Sequence, residues 1–71
     1  MVVVFDSIEV FQQVINPLPS GVNLDPVTGA DGRMASSYYF TEEDIAYLQT
    51  IEGAELMDAL PEDWQEPDNG I

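Results

Sequence analysis

Arg33 is the only lysine or arginine in this chain, and it stands against fourteen aspartates and glutamates, which gives a formal net charge of −13. Charge of this size pushes a compact state apart, a cost that a few surface lysines would remove. We infer that the composition is retained for a reason other than folding. Because polyanions are bound through Lys and Arg, the sequence predicts no direct binding to nucleic acid or to an anionic membrane. An electrostatic partner should be basic.

Length sets a second limit, because 71 residues form one domain whose single core supplies only about 3 to 5 kcal/mol. Cysteine and histidine are both absent, which excludes disulfides, thiolate chemistry and zinc clusters. The apolar start of the chain lacks the basic residues of a signal peptide, and no apolar run approaches the ~18 residues of a membrane span. We therefore expect a soluble, cytoplasmic protein without metal or cofactor.

The first half of the chain contains signals for two strands and a helix. Residues 1–5 are β-branched and aromatic and predict a buried strand. A D-x-x-E capping pattern follows and opens a helix over about 7–16, with its apolar residues on one side. Residues 22–33 suggest a short strand and then a turn-rich loop. Alternating residues over 34–40 predict another strand.

The second half depends on Gly53. Thr41 is a helix-cap signal and predicts a helix over about 42–51. Continued without a break, that helix would place three carboxylates on its own apolar arc, namely Glu55, Asp58 and Glu62. A break at Gly53 lets a second helical piece over 54–60 rotate, so that these carboxylates line its outer side.

These elements predict an α+β fold, with a small antiparallel or mixed sheet and an N-terminal helix and a C-terminal broken helix packed on one face. Residues 1–60 form the compact domain, and 61–71 form an acidic tail that contains proline and Trp64. A sheet this small has open edges and a free face, through which two copies could pair as a homodimer.

The last thirty residues hold ten carboxylates and no basic residue, the ten being Glu42, Glu43, Asp44, Glu52, Glu55, Asp58, Glu62, Asp63, Glu66 and Asp68. Carboxylates three or four residues apart on a helix lie ~5 to 6 Å from each other, and a DNA strand shows one phosphate per ~3.4 Å of helix axis. Such a stripe can imitate a row of phosphates and fit a groove built for nucleic acid. The alternatives are a solvated face kept acidic for solubility and adaptation of the whole proteome to high salt.

Aromatic residues supply candidate anchors beside these acids. Trp64 lies between two prolines and is either an interface residue or a cover for a core too small to close by itself. Tyr38 and Tyr39 alternate along a predicted strand, so one belongs to the core and the other is available to a partner. The predicted partner-binding residues are Glu42, Glu43, Glu52, Glu55, Asp58, Glu62, Asp63, Trp64 and Tyr39.

In its small size, acidity and compact α+β pattern the chain resembles the DNA-mimicking inhibitors of phages and mobile elements, namely anti-restriction, anti-CRISPR and uracil-DNA glycosylase inhibitor proteins. The resemblance is one of character across the whole chain. One local similarity is Asp6-Ser7-Ile8-Glu9, which resembles the Glu-Ser-Ile segment that glycosylase inhibitors insert into the DNA-binding groove. It starts with Asp in place of Glu, and a helix cap explains it equally well. The resemblance implies an inhibitor of a host protein that binds nucleic acid.

Other chemistry finds little support in the sequence. Residues 25–32 have a faint calcium-loop pattern, but Val27 and Gly29 offer no side-chain ligand at alternate positions, so a turn is expected. Carboxylate catalysis needs a cleft that shifts pKa values, and we expect no enzyme. Two further functions stay open beside the inhibitor: a small phage assembly or adaptor protein that docks through a strand edge and the Trp64 tail, and an acid-adapted domain of unrelated function.

Overall fold

The computed structural model describes residues 1–66 and has the α+β architecture that the sequence predicts. The strands are β1 (Val2–Phe5), β2 (Val27–Thr28), β3 (Met34–Ser37) and β4 (Ala54–Met57). The helices are α1 (Ile8–Gln12) and α2 (Glu42–Leu48). All strand pairs are antiparallel, and the order across the sheet is β2-β3-β1-β4.

The central strand is β1, which pairs with β3 on one side and β4 on the other. In this register Val3 faces Ser36 and Leu56. All four residues of β1 are buried, which matches an apolar run without alternation. An apolar strand of this kind needs cover on both faces and a neighbour on both edges.

One face of the sheet forms the main core. Val3 and Phe5 pack there with Leu48 of α2 and with residues of α1, and the rings of Phe5 and Phe11 lie 5.5 Å apart in an edge-on arrangement. Thr41 caps α2 as predicted, in a reciprocal capping box with Asp44.

The α1–β2 loop also contributes to this core, because Leu18 and Leu24 are both buried in it. The Asn16 side chain fixes the loop: its amide donates to the Leu24 carbonyl (3.2 Å) and its oxygen accepts from the Leu24 N–H (3.0 Å). The predicted helix over 7–16 is therefore too long. Its last turn is replaced because the residue before a proline, here Pro17, avoids helical geometry.

The prediction of a second helical piece over 54–60 is wrong, because residues 54–57 are strand β4. Ala, Glu, Leu and Met all favour helix, but β1 needs a second neighbour, and Leu56 pairs with Val3 to supply it. The break itself is confirmed, since Gly53 has a φ of +93° and turns the chain from α2 into β4.

Gly53→Ala should lower the free energy of unfolding by about 2 to 3 kcal/mol. An alanine would be strained at this φ, and its β-carbon would lie 2.9 Å from Val10 Cγ2. Gly21 is a matched control, because its φ is +89° and an added β-carbon meets nothing within 4 Å. We expect Gly21→Ala to cost only about 1 kcal/mol in urea unfolding. Equal losses in the two variants would contradict the contact with Val10.

Candidate partner-binding surface

Eight of the nine predicted partner-binding residues are exposed, and Trp64 is the exception. Glu42 and Glu43 stand in the first turn of α2. Glu52 lies in the turn before β4, Glu55 within β4, and Asp58 directly after it. Glu62 and Asp63 lie in the segment that follows the sheet.

The predicted helical stripe of Glu55, Asp58 and Glu62 does not form. Residues three apart in extended chain lie ~10 Å from each other, about twice the helical spacing. The register places Glu55 beside Val4, on the sheet face opposite to α1 and α2. The acids around β4 are therefore spread along a sheet edge.

Trp64 covers the second face of the sheet. It packs against the buried cluster of Val2, Val4 and Ala35, as Met57 does. Its ring lies so close to Gly29 that a β-carbon there would stand 2.9 to 3.1 Å from three ring atoms. Of the two roles that the sequence left open for Trp64, the structure shows the cover for the core.

Arg33, the only lysine or arginine of the chain, holds residues 61–66 in place. The Arg33 side chain contacts Asp31 (Nε–Oδ2, 2.6 Å) and Asp63 (Nη2–Oδ1, 3.3 Å), and its guanidinium lies 5.7 Å from the centre of the Trp64 ring. The Arg33 backbone N–H and side chain both donate to Asp31, which lowers the pKa of that carboxyl below its usual value. Ala30 N–H also donates to the Gln65 carbonyl (3.1 Å). Residues 61–66 thus lie against the sheet; residues 67–71 of the predicted tail fall outside the described residues.

Asp44 is not part of the acidic surface, although the sequence groups it with the other acids. It is 0% exposed and accepts hydrogen bonds from the Ser20 N–H (3.1 Å), the Ser20 hydroxyl (2.7 Å) and the Thr41 N–H (3.2 Å). Burial alone would raise the pKa of Asp44, but these donors outweigh burial and the pKa is lowered. Asp44 joins the α1–β2 loop to α2. The Thr41-x-x-Asp44 spacing is a capping-box pattern that separates Asp44 from Glu42 and Glu43, but nothing local in the sequence indicates its second partner, Ser20, which is 24 residues away.

Tyr39 is the most exposed aromatic residue of the described chain, at 100%. The predicted strand over 34–40 ends early, at Ser37, and the prediction that one of Tyr38 and Tyr39 belongs to the core is wrong, because both are exposed. Tyr38 is 36% exposed and stacks in a tilted arrangement near Phe40, with ring centres 6.2 Å apart. Met1, whose carbonyl accepts from the Tyr38 N–H, is also exposed. This end of the sheet offers apolar contact area among the acids.

Within residues 1–66 ten exposed carboxylates have no cation beside them. They are the described acids other than Asp44, Asp31 and Asp63, namely Asp6, Glu9, Asp25, Glu42, Glu43, Glu52, Glu55, Asp58, Glu62 and Glu66. The molecule measures 38 × 22 × 20 Å. These ten acids belong to several elements and loops of the fold, so the surface has a large excess of negative charge without forming a single row.

The described part of the chain shows no pocket and no group of acids placed to hold a metal ion. Neither of its helices has the length and apolar character needed to cross a membrane. The sequence matches no protein-family model, and no curated protein or solved structure shows significant similarity to it.

Proposed function

We propose that this protein is an inhibitor that mimics DNA and occupies the basic nucleic-acid-binding surface of another protein. The observation that supports this most directly is the excess of uncompensated carboxylates, because ten exposed acids within residues 1–66 have no cation beside them. The only side-chain cation, Arg33, forms ion pairs with Asp31 and Asp63 of the same chain. Nothing basic on the described surface therefore offsets the acids that a partner would meet.

The exposed aromatic residue supplies the second part of the proposal. Electrostatic complementarity speeds and orients association, whereas tight binding depends on a few well-packed anchors, often Tyr, Trp or Arg. Trp64 is occupied within the fold, so Tyr39 takes the anchoring role. Acids in the first turn of α2, Glu42 and Glu43, follow Tyr39 closely in the chain.

In this proposal the inhibitor comes from a phage or mobile element and acts in the cytoplasm of the host, against a defence or DNA-processing protein. It needs no catalytic residue, metal or cofactor, because occupying the groove is enough to exclude nucleic acid. The same composition also suits an acid-adapted domain, which would gain stability in molar salt but hold no basic partner.

The adaptor function, with docking through a strand edge and the Trp64 tail, is the alternative. Trp64 is part of the folded sheet face, so deletion of residues 61–71 would test folding as well as docking. A sharper comparison uses Tyr39, whose side chain is fully exposed. Tyr39→Ala should leave the free energy of unfolding unchanged and weaken partner binding if Tyr39 is the anchor of the inhibitor. Docking through a strand edge and the Trp64 tail does not use Tyr39, so binding that is unchanged in this variant favours the adaptor.

The proposal is tested by capture from a host lysate treated with nuclease, followed by elution with salt and then with duplex DNA. A nucleic-acid-binding protein should be retained at low salt and displaced by both eluents. Its affinity should fall at least about tenfold between 50 and 200 mM salt. Retention of nothing basic, or of a protein that DNA does not displace, contradicts mimicry.

Charge reversal locates the binding surface. The double variant Glu55→Lys/Asp58→Lys should weaken binding of the captured protein at least about tenfold, because it replaces attraction with repulsion at the β4 edge. The matched control is Glu9→Lys/Asp25→Lys, which changes net charge equally at exposed positions outside β4. Equal losses would mean that total charge alone governs binding, and no loss in either would remove these acids from the mechanism.

A further inference from the structure

We infer that the outer edge of β4 is a binding site for an extended, basic peptide segment of a partner protein, which adds to the sheet as a fifth strand. The inference stands apart from DNA mimicry, because it requires neither a nucleic-acid-binding partner nor a groove. It rests on the backbone groups of β4 that have no partner within residues 1–66 and on the charges beside them.

The direction of the backbone groups follows from the ladder. Asp6 N–H donates to the Gly53 carbonyl (2.9 Å), so this opposed pair is hydrogen-bonded. Hydrogen-bonded and non-hydrogen-bonded pairs alternate in an antiparallel ladder, so Glu55 and Met57 direct their N–H and C=O groups to β1. Leu56 lies between them and directs both groups away from β1.

The opposite side of β1 gives the same result independently. Tyr38 N–H donates to the Met1 carbonyl (3.2 Å), so the pair of Met1 and Tyr38 is hydrogen-bonded. Hydrogen-bonded pairs recur at every second residue, so the next one is Val3 with Ser36 of β3. The backbone groups of Val3 are therefore occupied on the β3 side and do not reach Leu56, which lies opposite Val3 in β4.

Within residues 1–66, β4 pairs with β1 alone. One outward group near its start is occupied, since Ala54 N–H donates to the Ile51 carbonyl (3.2 Å). The Leu56 N–H and C=O and the Ala54 C=O remain directed to the open edge. A strand that pairs with Leu56 would satisfy all three, and this main-chain bonding is the common basis of strand addition.

The acidic residues beside β4 favour a basic peptide segment at this edge. Glu52, Glu55 and Asp58 precede, lie within and follow β4, and all are exposed. Arg33 belongs to the β2–β3 side, about two strand spacings or ~10 Å from β4. A Lys or Arg opposite Glu55 would place its β-carbon ~4.5 to 5.5 Å from that of Glu55. A second copy of the chain would instead bring three more carboxylates and another net charge of −13 to this edge.

The test uses an acetylated, amidated heptapeptide of alternating lysine and valine as the probe, with amide hydrogen exchange followed by NMR. In the free protein the Leu56 amide should exchange at least about tenfold faster than those of Glu55 and Met57. Saturation with the peptide should slow Leu56 at least about tenfold and leave its two neighbours nearly unchanged. Glu55→Lys should weaken peptide binding at least about tenfold, whereas Asp25→Lys, which makes the same charge change outside β4, should not.

Two control peptides separate strand addition from simple attraction. One is N-methylated at its valines, which lie opposite Leu56 when a lysine lies opposite Glu55, so that it keeps all lysines but cannot donate to Leu56. The other has glutamate in place of lysine. Neither should protect Leu56. Equal binding of the N-methylated peptide, or no protection by the unmodified one, overturns the inference. Slow exchange of Leu56 in the free chain together with a dimer in sedimentation also overturns it, because a second copy then occupies the edge.

Discussion

Trp64→Ala should remove most of the stability of this protein. Substitution of a large aromatic residue in a core costs about 3 to 5 kcal/mol, and a core of this size supplies only about 3 to 5 kcal/mol in total. Trp64 is partly buried, and its indole N–H is buried without an acceptor among residues 1–66, so we expect the lower value, about 3 kcal/mol. The variant should be largely unfolded at 37 °C.

Urea unfolding followed by circular dichroism measures this effect without relying on the fluorescence of the residue removed. Tyr39→Ala is the matched control, because it removes a fully exposed aromatic side chain and should change stability by less than about 0.5 kcal/mol. Gly29→Ala should destabilise in the same direction as Trp64→Ala, since its β-carbon would push the indole ring off the sheet. A Trp64→Ala variant as stable as the parent would show that residues 61–66 do not hold the second face.

Asp44→Asn should lower the free energy of unfolding by about 2 to 3 kcal/mol at pH 7. The carboxylate accepts from Ser20 and Thr41, and hydrogen bonds to a charged group contribute about 1.5 to 3 kcal/mol. An asparagine amide would direct its own N–H groups at one or two of these donors. Those donors of Ser20 or Thr41 would then lose their acceptor at the buried end of the hydrogen bond.

The pH dependence identifies the charged form as the source of this stability. The pKa of Asp44 is lowered in the folded state, so the unfolded chain takes up the proton first as pH falls. Its contribution is complete above the ordinary aspartate pKa and is lost as pH falls through the folded-state value. The stability difference between parent and Asp44→Asn should therefore be largest at pH 7 and should shrink below about pH 4.

Glu43→Gln is the control for this experiment, because it removes the same charge from an exposed neighbour in the same helical turn. It should change stability by less than about 0.5 kcal/mol at each pH. If the difference between the parent and Asp44→Asn stays constant from pH 7 to pH 3, the ionised carboxylate is not what joins the loop to α2.

The sequence by itself determined the features that depend on neighbouring residues. The apolar run of β1, the Thr41 cap of α2 and the turn at Gly53 follow from local sterics and hydrogen bonding, and each lies where the sequence predicts it. The surplus of acid is likewise fixed by composition. One Arg33 cannot neutralise fourteen carboxylates in any fold.

Only the tertiary structure decided the features that depend on distant partners. Residues 54–57 have helix-forming side chains, yet they form a strand because the buried β1 requires a second neighbour. Local spacing makes Asp44 the capping-box residue of α2, but its burial also depends on a loop serine 24 residues away, which no local pattern indicates. Trp64 covers the sheet only because Gly29 leaves room for its ring. Local sequence sets the preferences of each segment, but in so small a core a few long-range contacts outweigh them.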